Sequence, residues 1–597
     1  MTVTRRPPGR LAAALWTLAA LAAVAALWSC SPAHAREYPQ GASAATGVAA
    51  ADSRADASVA PDPTSFWNLS GTDPDAALEA LFAAMSPEER LGQLFMMSYS
   101  GDEPTGLILT WIRRRGLGSV KIFGWNADDT VRLAAAVRAM QEAAVGGPRG
   151  LPPFMATDQE GGWIRHVKGG TSVTPGNMAI GASAWPSDAY ASARYIGLEL
   201  SALGITMNFA PTVDLATKPD SSIIGPRAFS NDPRATAVLA AAWARGMEDA
   251  GVLPTAKHFP GHGDTNLDSH GILPVLDADE DTLWNRELVP YRLLAAEGIP
   301  GVMSGHLAFP AVTGNDEPAS LSPRIVTGIL RERIGYDGLV ITDDLLMAGA
   351  WSPGGLSEAG EKAIRAGNDI LMFSRTLALD EPAWTRLMGL YRSDEAFRAR
   401  IDQSCRRVLR AKLRWLLPRG RDGMLPAPDP EAAMRTAESR EFFQAQALRS
   451  ATLVGDPDDL PTADGPGLLL AGQFGDFFAA GSRRFPSARS FRFAYLPGDE
   501  ASDDELESFR RALARAESVV VCVANPAGAE FARAAAASGK PFYVVSVLNP
   551  SFALEFSGAA PVVAVYSYSA ESFRAAFAVL AGDVEAPGRL PVELAAP

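Results

Sequence analysis

Cysteine is scarce in this chain. Only Cys30, Cys405 and Cys522 occur among its 597 residues, which is too few for a disulfide framework. Cys405 lies in a run with helical periodicity and Cys522 in an apolar run typical of a strand, so we expect both to be small buried side chains. The count excludes the class of small secreted domains that disulfide bonds hold together.

Blocks of lysine and arginine are also lacking. The 68 acidic residues outnumber the 54 basic ones and give a formal net charge of −14. A nucleic-acid partner requires a basic patch, so we expect no such partner. The hydrophobic content of 47% and the charged content of 20% are typical of a globular protein. The length indicates two globular units with additional segments.

The first 35 residues have the form of an export signal. Three arginines within the first ten residues precede an uncharged run, rich in alanine and leucine, at 11–28. Residues 33–35 suit cleavage by a signal peptidase, whereas residues 27–30 resemble a lipoprotein signal ending at Cys30, although Trp28 is bulky for its position. A retained membrane anchor is the third alternative. We therefore expect an extracytoplasmic protein that is periplasmic, secreted or lipid-anchored, and attachment to a membrane through the N-terminus stays open.

Residues 76–420 alternate short apolar runs with amphipathic stretches of helical length, which predicts an α/β fold with a (β/α)8 TIM-type barrel. The predicted strands are 94–99, 120–123, 154–157, 206–210, 253–258, 301–306, 339–343 and 369–373. An open doubly wound sheet is the alternative. The barrel is favoured because polar residues recur where the runs end, and those ends meet at one mouth. These residues are Asp158, Lys257, His258, His306 and Asp343.

Three further segments complete the predicted organisation. Residues 36–75 are rich in alanine, serine, aspartate and glycine, which is typical of a flexible linker. Residues 421–448 form a second predicted linker. Residues 449–597 again alternate strand-like and helical runs, which predicts a smaller α/β sandwich domain with a parallel sheet.

The segment 257–270, KHFPGHGDTNLDSH, holds three of the six histidines of the chain. It starts at a predicted strand end and continues through proline and glycine, so it forms a loop. Packing alone does not explain so many polar side chains on a loop at a barrel mouth.

Three shorter motifs also end apolar runs or lie in turns. Residues 341–344 carry Asp343, although a lone aspartate at a strand end often caps a helix. Residues 156–162 carry Asp158 and two glycines that permit close approach of a ligand. Residues 224–229 form a glycine–proline turn that carries Arg227.

Together these motifs resemble glycoside hydrolase family 3. The resemblance extends from SPEERLGQL at 86–94 through GITMNFAP at 204–211 to the strand of Asp343. The loop 257–270 is similar to the signature of the β-N-acetylhexosaminidase (β-N-acetylglucosaminidase) branch. The ending GRLPV at 588–592 resembles the close of the second domain of the family.

The resemblance implies a retaining exo-glycosidase that hydrolyses terminal β-linked N-acetylglucosamine through a covalent glycosyl-aspartate intermediate. It makes Asp343 the nucleophile, His270 the acid/base and Asp268 the partner of His270. An imidazole with an ordinary pKa of about 6.5 can protonate a leaving group and then deprotonate water near neutral pH. A turn must bring Asp268 and His270 together, because residues two apart in an extended segment point in opposite directions.

The resemblance also implies that Asp158, Arg227, Lys257 and His258 bind the sugar. Other polar residues are assigned supporting roles: Asp344 as a helix cap or support, His262 and Asp264 in shaping the loop, and His306 either near the sugar or in a structural position. One departure is Trp163, which stands where the family commonly carries arginine.

Several alternatives stay open at this point. A zinc hydrolase would need a rigid frame for its ligands, which a loop rich in glycine and proline does not provide. A non-catalytic surface glycan-binding protein would not need Asp343, Asp268 and His270. A β-glucosidase or a phosphorylase of the same family is a closer alternative. We expect a carbohydrate substrate, which is either cell-wall fragments or chitin-type oligosaccharides. We also expect a monomer that uses no metal and no organic cofactor.

Overall fold

A computed structural model describes residues 65–147, 149–219, 221, 223–350, 352–460, 467–495 and 500–592. The predicted export signal at 1–35, the candidate lipidation site Cys30 and most of the first linker lie outside the described residues. Within the described ranges, no helix combines the length and the apolar character that a membrane span requires.

The first part of the described chain is a closed barrel of eight parallel strands, in the order β1-β10-β9-β8-β7-β6-β3-β2. The predicted barrel is therefore confirmed, and the alternative of an open sheet is wrong. Strands β4 and β5 form a separate antiparallel hairpin beside the mouth. The ten strands are β1 (Phe95–Met97), β2 (Ser119–Lys121), β3 (Phe154–Thr157), β4 (Gln159–Gly161), β5 (Ile164–Arg165), β6 (Met207–Asn208), β7 (Leu253–Phe259), β8 (Gly301–Ser304), β9 (Leu339–Asp344) and β10 (Ile370–Phe373).

The helices around the barrel place their apolar faces on the strands, whose residues are almost all buried. The predicted helix start at Ser86 is present: its hydroxyl accepts the N–H of Glu89, and the Glu89 carboxylate accepts the N–H of Ser86. The helices are Pro74–Ala84, Pro87–Gly92, Gly106–Arg115, Thr130–Val145, Asn177–Ser183, Pro186–Ala202, Pro233–Asp249, Glu280–Thr282, Leu288–Ala296, Pro310–Thr313, Gly355–Ala366, Pro382–Ser393 and Glu395–Trp415, with π-helical segments at Leu283–Glu287 and Arg324–Arg333.

Folded structure begins before the end of the first predicted linker. Residues Phe66–Leu69 form a 3-10 helix, and Phe66 is fully buried in the core of the barrel. Small and polar residues dominate the composition of residues 36–75. The composition therefore gave no indication that Phe66 and Leu69 are buried. The second predicted linker likewise contains most of the helix Ala437–Ser450, which buries Phe443 and Ala447.

The second domain is a six-stranded sheet in the order β11-β16-β15-β14-β12-β13. Its strands are β11 (Thr452–Val454), β12 (Leu468–Gly472), β13 (Arg489–Arg492), β14 (Ser518–Val523), β15 (Phe542–Ser546) and β16 (Val562–Ala564). All pairs are parallel except β11 with β16, so the prediction of a parallel sheet misses one antiparallel edge strand. The helices of this part are Ala437–Ser450, Gly475–Arg484, Asp503–Ala514, Pro526–Ala537, Ser551–Leu554 and Ala570–Leu580.

Apolar clusters cover both faces of this sheet, as in a sandwich. Alternate residues of β14 belong to different clusters: Val520 and Cys522 pack on one face, and Val519 and Val521 on the other. Cys522 is fully buried there, and Cys405 is fully buried in the barrel core, as the sequence predicts.

The second domain contacts loops at the mouth of the barrel. The Asn549 amide donates to the carbonyl of Pro219 at 2.8 Å, and the Ser567 hydroxyl donates to the carbonyl of Thr174 at 3.0 Å. The C-terminal segment also returns to the barrel, where the Ser230 hydroxyl donates to the carbonyl of Pro591 at 2.6 Å. These bonds tie the loops that follow β5 and β6 to the sandwich.

Candidate active site

Asp158 lies at the end of β3 between two lysines. Its Oδ1 is 2.5 Å from Nζ of Lys257 on β7, and its Oδ2 is 2.5 Å from Nζ of Lys121 on β2. Burial alone would raise the pKa of Asp158, but the two ammonium groups outweigh it and hold the pKa well below its usual range. Asp158 and Lys257 are thus in direct contact at the mouth where their strands end, and Lys121 joins them without having been singled out in the sequence.

Glu160, the middle residue of β4, belongs to this charged cluster and was missed by sequence reasoning. Its buried carboxylate accepts two hydrogen bonds from Arg227, at 2.9 and 2.8 Å, and lies 2.6 Å from Nζ of Lys257. Burial opposes ionisation, yet the charges of Arg227 and Lys257 lower the pKa of Glu160 to about 2. A signal was present, because Glu160 belongs to the motif at 156–162 from which only Asp158 was selected.

His258 is held by a second residue that the sequence did not reveal, Asp214. Nδ1 of His258 lies 2.7 Å from Oδ2 of Asp214, and the same carboxylate accepts the backbone N–H of His262 at 2.7 Å. Because a carboxylate with this lowered pKa of about 2 accepts only, Nδ1 is the donor. In neutral His258, Nε2 is then an acceptor that faces Arg227 at 3.5 Å. Asp214 lies three residues after the segment 204–211 that carries part of the family resemblance, but no residue of this region was selected for the site.

Asp268 and His270 form the dyad that the loop motif predicts. Nδ1 of His270 lies 2.7 Å from Oδ1 of Asp268. The turn required for this contact is present, since the N–H of His270 donates to Oδ1 of Asp268 and the N–H of Gly271 donates to the Asp268 carbonyl. The bond with Asp268 raises the pKa of His270, although partial burial opposes it. The imidazole is largely exposed at the mouth, at 71% of its side chain.

Asp343, the predicted nucleophile, lies near the C-terminal end of β9. Its Oδ1 accepts the backbone N–H of Asp344 at 2.8 Å. Burial raises the pKa of Asp343, but the neighbouring imidazoles of His306, His258 and His270 outweigh it, and the net pKa is lowered. The carboxylate is therefore ionised at neutral pH, as a nucleophile must be.

His306 and Asp344 support the end of β9. Nε2 of His306 lies 3.0 Å from the carbonyl of Asp344 and must donate to it, so in the neutral ring Nδ1 accepts from the Ser320 hydroxyl at 2.7 Å. Both ring nitrogens are engaged and the side chain is fully buried, which favours the structural alternative for His306. The Asp344 carboxylate accepts the N–H groups of Leu346 and Ser374. It therefore caps the turn after the strand.

The loop that carries the dyad is tied to the barrel at its base. Asp264 pairs with Arg286 at 2.7 Å, and Arg286 pairs with Glu287 at 2.6 Å. Gly261 approaches Glu287 so closely that a Cβ there would lie 2.8 Å from Oε2. His262 faces the Ser269 hydroxyl at 3.3 Å. His262 and Asp264 thus hold the loop in shape, which is the role expected of them.

Trp163, which departs from the family pattern, joins the β4–β5 hairpin to the second domain. Trp163 lies between β4 and β5, and its ring packs against one of the two apolar clusters of the sandwich. Three residues further, His166 lies 3.6 Å from Asp158. Burial and the charge of Lys121 lower the pKa of His166 to about 3, so the imidazole is neutral. The β4–β5 hairpin that carries Glu160 is thus in contact with the second domain through Trp163, and the residue that follows the hairpin, His166, lies beside Asp158.

The mouth of the barrel therefore combines three chemical capabilities. It presents an ionised carboxylate on Asp343, a titratable imidazole on His270, and a group of hydrogen-bonding side chains around Asp158 and Glu160. Within the described residues, no three or more histidine, cysteine, aspartate and glutamate side chains are arranged to hold a metal ion.

Known proteins are similar to this chain over more than half of its length. Beta-hexosaminidase A of Pseudoalteromonas piscicida is 33% identical over 376 residues, which cover 59% of this chain and 62% of that protein. Beta-hexosaminidase LpqI of Mycobacterium tuberculosis is 36% identical over 340 residues, which cover 55% of this chain and 84% of that protein. The chain thus matches somewhat less than two thirds of the first relative's length.

Similarity to solved structures extends into the second domain. The glycoside hydrolase family 3 beta-N-acetylglucosaminidase of Paenibacillus sp. FPU-7 matches 85% of this chain and 99% of its own, with a TM-score of 0.76 and 28% identity. Residues 86–411, more than half of the sequence, match the model of the glycosyl hydrolase family 3 N-terminal domain. The chain belongs to glycosyl hydrolase family 3.

Proposed function

We propose that this protein is a retaining exo-β-N-acetylglucosaminidase that removes terminal β-linked N-acetylglucosamine from glycans. The observation that carries the proposal is the Asp268–His270 hydrogen bond on a loop at the same mouth as the ionised Asp343. Such a double displacement requires a nucleophile and a group that acts first as acid and then as base, and Asp343 and His270 can supply these two groups.

In the first step, a carboxylate oxygen of Asp343 attacks the anomeric carbon. The bond from that carbon to the leaving oxygen breaks, and the His270 imidazolium donates its Nε2 proton to this oxygen. The products are the free aglycone, a glycosyl ester of Asp343 and neutral His270. The Asp268 carboxylate stabilises the imidazolium before transfer, because it raises the pKa of His270.

In the second step, neutral His270 takes a proton from water as the water oxygen attacks the anomeric carbon. The ester bond to Asp343 breaks, and the sugar leaves with its β configuration retained. His270 is again protonated and Asp343 again ionised, so the cycle closes without a cofactor.

Asp158, Lys257, Arg227 and His258 are proposed to hydrogen-bond the hydroxyl groups of the terminal sugar. Glu160 and Asp214 hold these groups in place through the ion pairs at Arg227 and Lys257 and the bond to His258. A sugar hydroxyl both donates and accepts, so a site that mixes carboxylates and cations suits it.

Water is the proposed acceptor rather than phosphate. The three cationic side chains described around Asp158, which are Lys121, Lys257 and Arg227, all pair with Asp158 or Glu160. A phosphate bound by these three cations would have to break their buried ion pairs, at a cost of roughly 3–5 kcal/mol for each one.

The natural substrates that we propose are extracytoplasmic: cell-wall fragments or chitin-type oligosaccharides. This inference depends on the export signal predicted for residues 1–35. The similarity to two proteins named beta-hexosaminidase and to a solved beta-N-acetylglucosaminidase supports the sugar specificity. We propose that the protein acts as a monomer.

The test uses purified protein from Glu37 onwards and paired aryl β-glycosides of N-acetylglucosamine and glucose, with and without phosphate. We expect a strong preference for the N-acetyl sugar, no requirement for phosphate, and severe loss of activity in Asp343→Asn and His270→Ala. Turnover of neither sugar by the parent protein would favour a glycan-binding role. A rate that depends on phosphate would mean that the protein is a phosphorylase.

A further inference from the structure

Two aromatic rings beyond β2 are stacked at the mouth of the barrel. The ring centroids of Phe123 and Trp125 lie 4.3 Å apart with an interplanar angle of 11°. The indole of Trp125 is 46% exposed, although tryptophan is usually well buried. We call this pair the aromatic platform.

The aromatic platform is held rigidly in place. Phe123 and Trp125 belong to a turn in which Asn126 accepts the N–H of Phe123 at 3.0 Å and donates to the carbonyl of Tyr99 at 2.9 Å. The indole N–H of Trp125 donates to the same Tyr99 carbonyl at 3.2 Å. The polar edge of the indole is thus satisfied by the protein, so its exposure is not explained by a need to reach water.

The platform adjoins the residues proposed to bind the terminal sugar. Nζ of Lys121 lies 4.6 Å from the centroid of Phe123 and 2.5 Å from Asp158. The His166 ring lies 5.5 Å from the Phe123 ring and 3.6 Å from Asp158. Lys121 thus links Phe123 to Asp158, and Trp125 is stacked on Phe123.

An exposed, immobilised indole next to a polar sugar site has a specific chemical use. One face of a pyranose ring carries mostly C–H groups, and these carry the partial positive charge that the negative face of an aromatic ring attracts. Such a platform removes apolar surface of both partners from water without demanding hydrogen bonds.

We propose that Phe123 and Trp125 bind the face of the sugar ring adjoining the terminal residue, so that the protein favours β-linked oligosaccharides over simple glycosides. This inference rests on the proposed function for the terminal sugar. Trp125 makes the contact, and Phe123 supports the indole from behind.

The kinetic test compares Trp125→Ala and Trp125→Phe with the parent protein. The substrates are the trisaccharide of β-1,4-linked N-acetylglucosamine and methyl β-N-acetylglucosaminide. For Trp125→Ala we expect kcat/KM on the trisaccharide to fall about tenfold, mainly through KM, and on the methyl glycoside less than about twofold. Trp125→Phe should restore most of the difference. Equal losses on both substrates, or no loss on the trisaccharide, would overturn the proposal.

Trp185→Ala is the matched control. Trp185 is 56% exposed and lies at the start of the helix Pro186–Ala202, beside Arg449. Trp185→Ala should leave kcat/KM unchanged on both the trisaccharide and the methyl glycoside. A thermal melting curve of each variant verifies that the barrel is folded, and Trp125→Phe retains a testable ring if Trp125→Ala does not fold.

A binding measurement separates this inference from the proposed function. The Asp343→Asn protein is titrated calorimetrically with the N-acetylglucosamine trisaccharide and with cellotriose, since stacking needs no N-acetyl group. If the parent protein cleaves no N-acetylglucosaminide, the proposed function fails. The platform still stands if either trisaccharide binds and Trp125→Ala weakens that binding about tenfold. It fails if Trp125→Ala has no effect on binding or if neither trisaccharide binds.

Discussion

Oδ1 of Asp268 accepts two hydrogen bonds from His270, one from Nδ1 at 2.7 Å and one from the backbone N–H at 3.0 Å. The Asp268 carboxylate therefore fixes the orientation of the His270 imidazole relative to the His270 backbone. Partial burial would raise the pKa of Asp268, but the bonds to His270 lower it to about 2. Nε2 of His270 is left as the nitrogen that transfers the proton.

Asp268→Asn should shift the pH dependence of the reaction. The side-chain bond to Asp268 raises the pKa of His270, so its loss lowers that pKa. His270 must be protonated for the first step, and the alkaline limb of kcat/KM should therefore move to lower pH. We expect the maximal rate to fall about a hundredfold. Asp316→Asn, at an exposed position, is the control and should leave the profile in place.

Asp343→Asn should lower kcat by at least about a thousandfold, because an amide cannot form the glycosyl ester. A 5-fluoro N-acetylglucosaminyl fluoride, which keeps the 2-acetamido group, should leave one glycosyl mass on the peptide that contains Asp343. Peptide mass spectrometry detects this adduct. A label on a different carboxylate would assign the nucleophile to that residue instead.

Glu160→Gln should destabilise the protein and weaken substrate binding together. The substitution leaves the buried Arg227 and Lys257 with less compensating charge, which costs about 3–5 kcal/mol in free energy of unfolding. We also expect KM for the aryl N-acetylglucosaminide to rise about tenfold or more, because Arg227 and Lys257 lose their positions. Denaturant unfolding and steady-state kinetics measure the two effects. Glu297→Gln, at an exposed position, should show neither.

Glu287→Gln should change how stability depends on pH. Burial raises the pKa of Glu287 to about 7, above its value of about 4.3 in the unfolded chain. The folded state therefore binds more protons at this group, and the stability that protonation contributes is lost as the pH rises through 7. The melting temperature of Glu287→Gln relative to the parent should thus increase from pH 5.5 to pH 8.5. A constant or decreasing difference would mean that Arg286 keeps Glu287 ionised throughout.

Several features of the site could be predicted because their signals are local. The barrel follows from eight apolar runs alternating with amphipathic stretches, and a barrel brings the ends of its strands to one mouth. The resemblance of the loop 257–270 implied that Asp268 and His270 pair, and the structure supplies the turn that brings them into contact. Asp158 and Asp343 end apolar runs, which marked them as candidates.

The partners that hold these groups could not be predicted in the same way. Asp214 lies 44 residues from His258, and Glu160 lies 67 residues from Arg227. Neither hydrophobic periodicity nor a short motif indicates that residues so far apart in the sequence are in contact. His306 shows the converse, since its position at a strand end suggested a sugar contact, whereas Ser320 and Asp344 engage both of its ring nitrogens.

The amino-acid sequence by itself determined the barrel and the second α/β domain, because hydrophobic periodicity acts between neighbours along the chain. The pairing of Asp268 with His270 came from the resemblance of the loop 257–270 to a family signature. Only the tertiary structure decided which charges pair, that Phe66 belongs to the core, and that Trp125 stays exposed while it stacks on Phe123. These outcomes depend on burial and on contacts between distant segments. Both arise only when the barrel closes and the second domain packs on its loops.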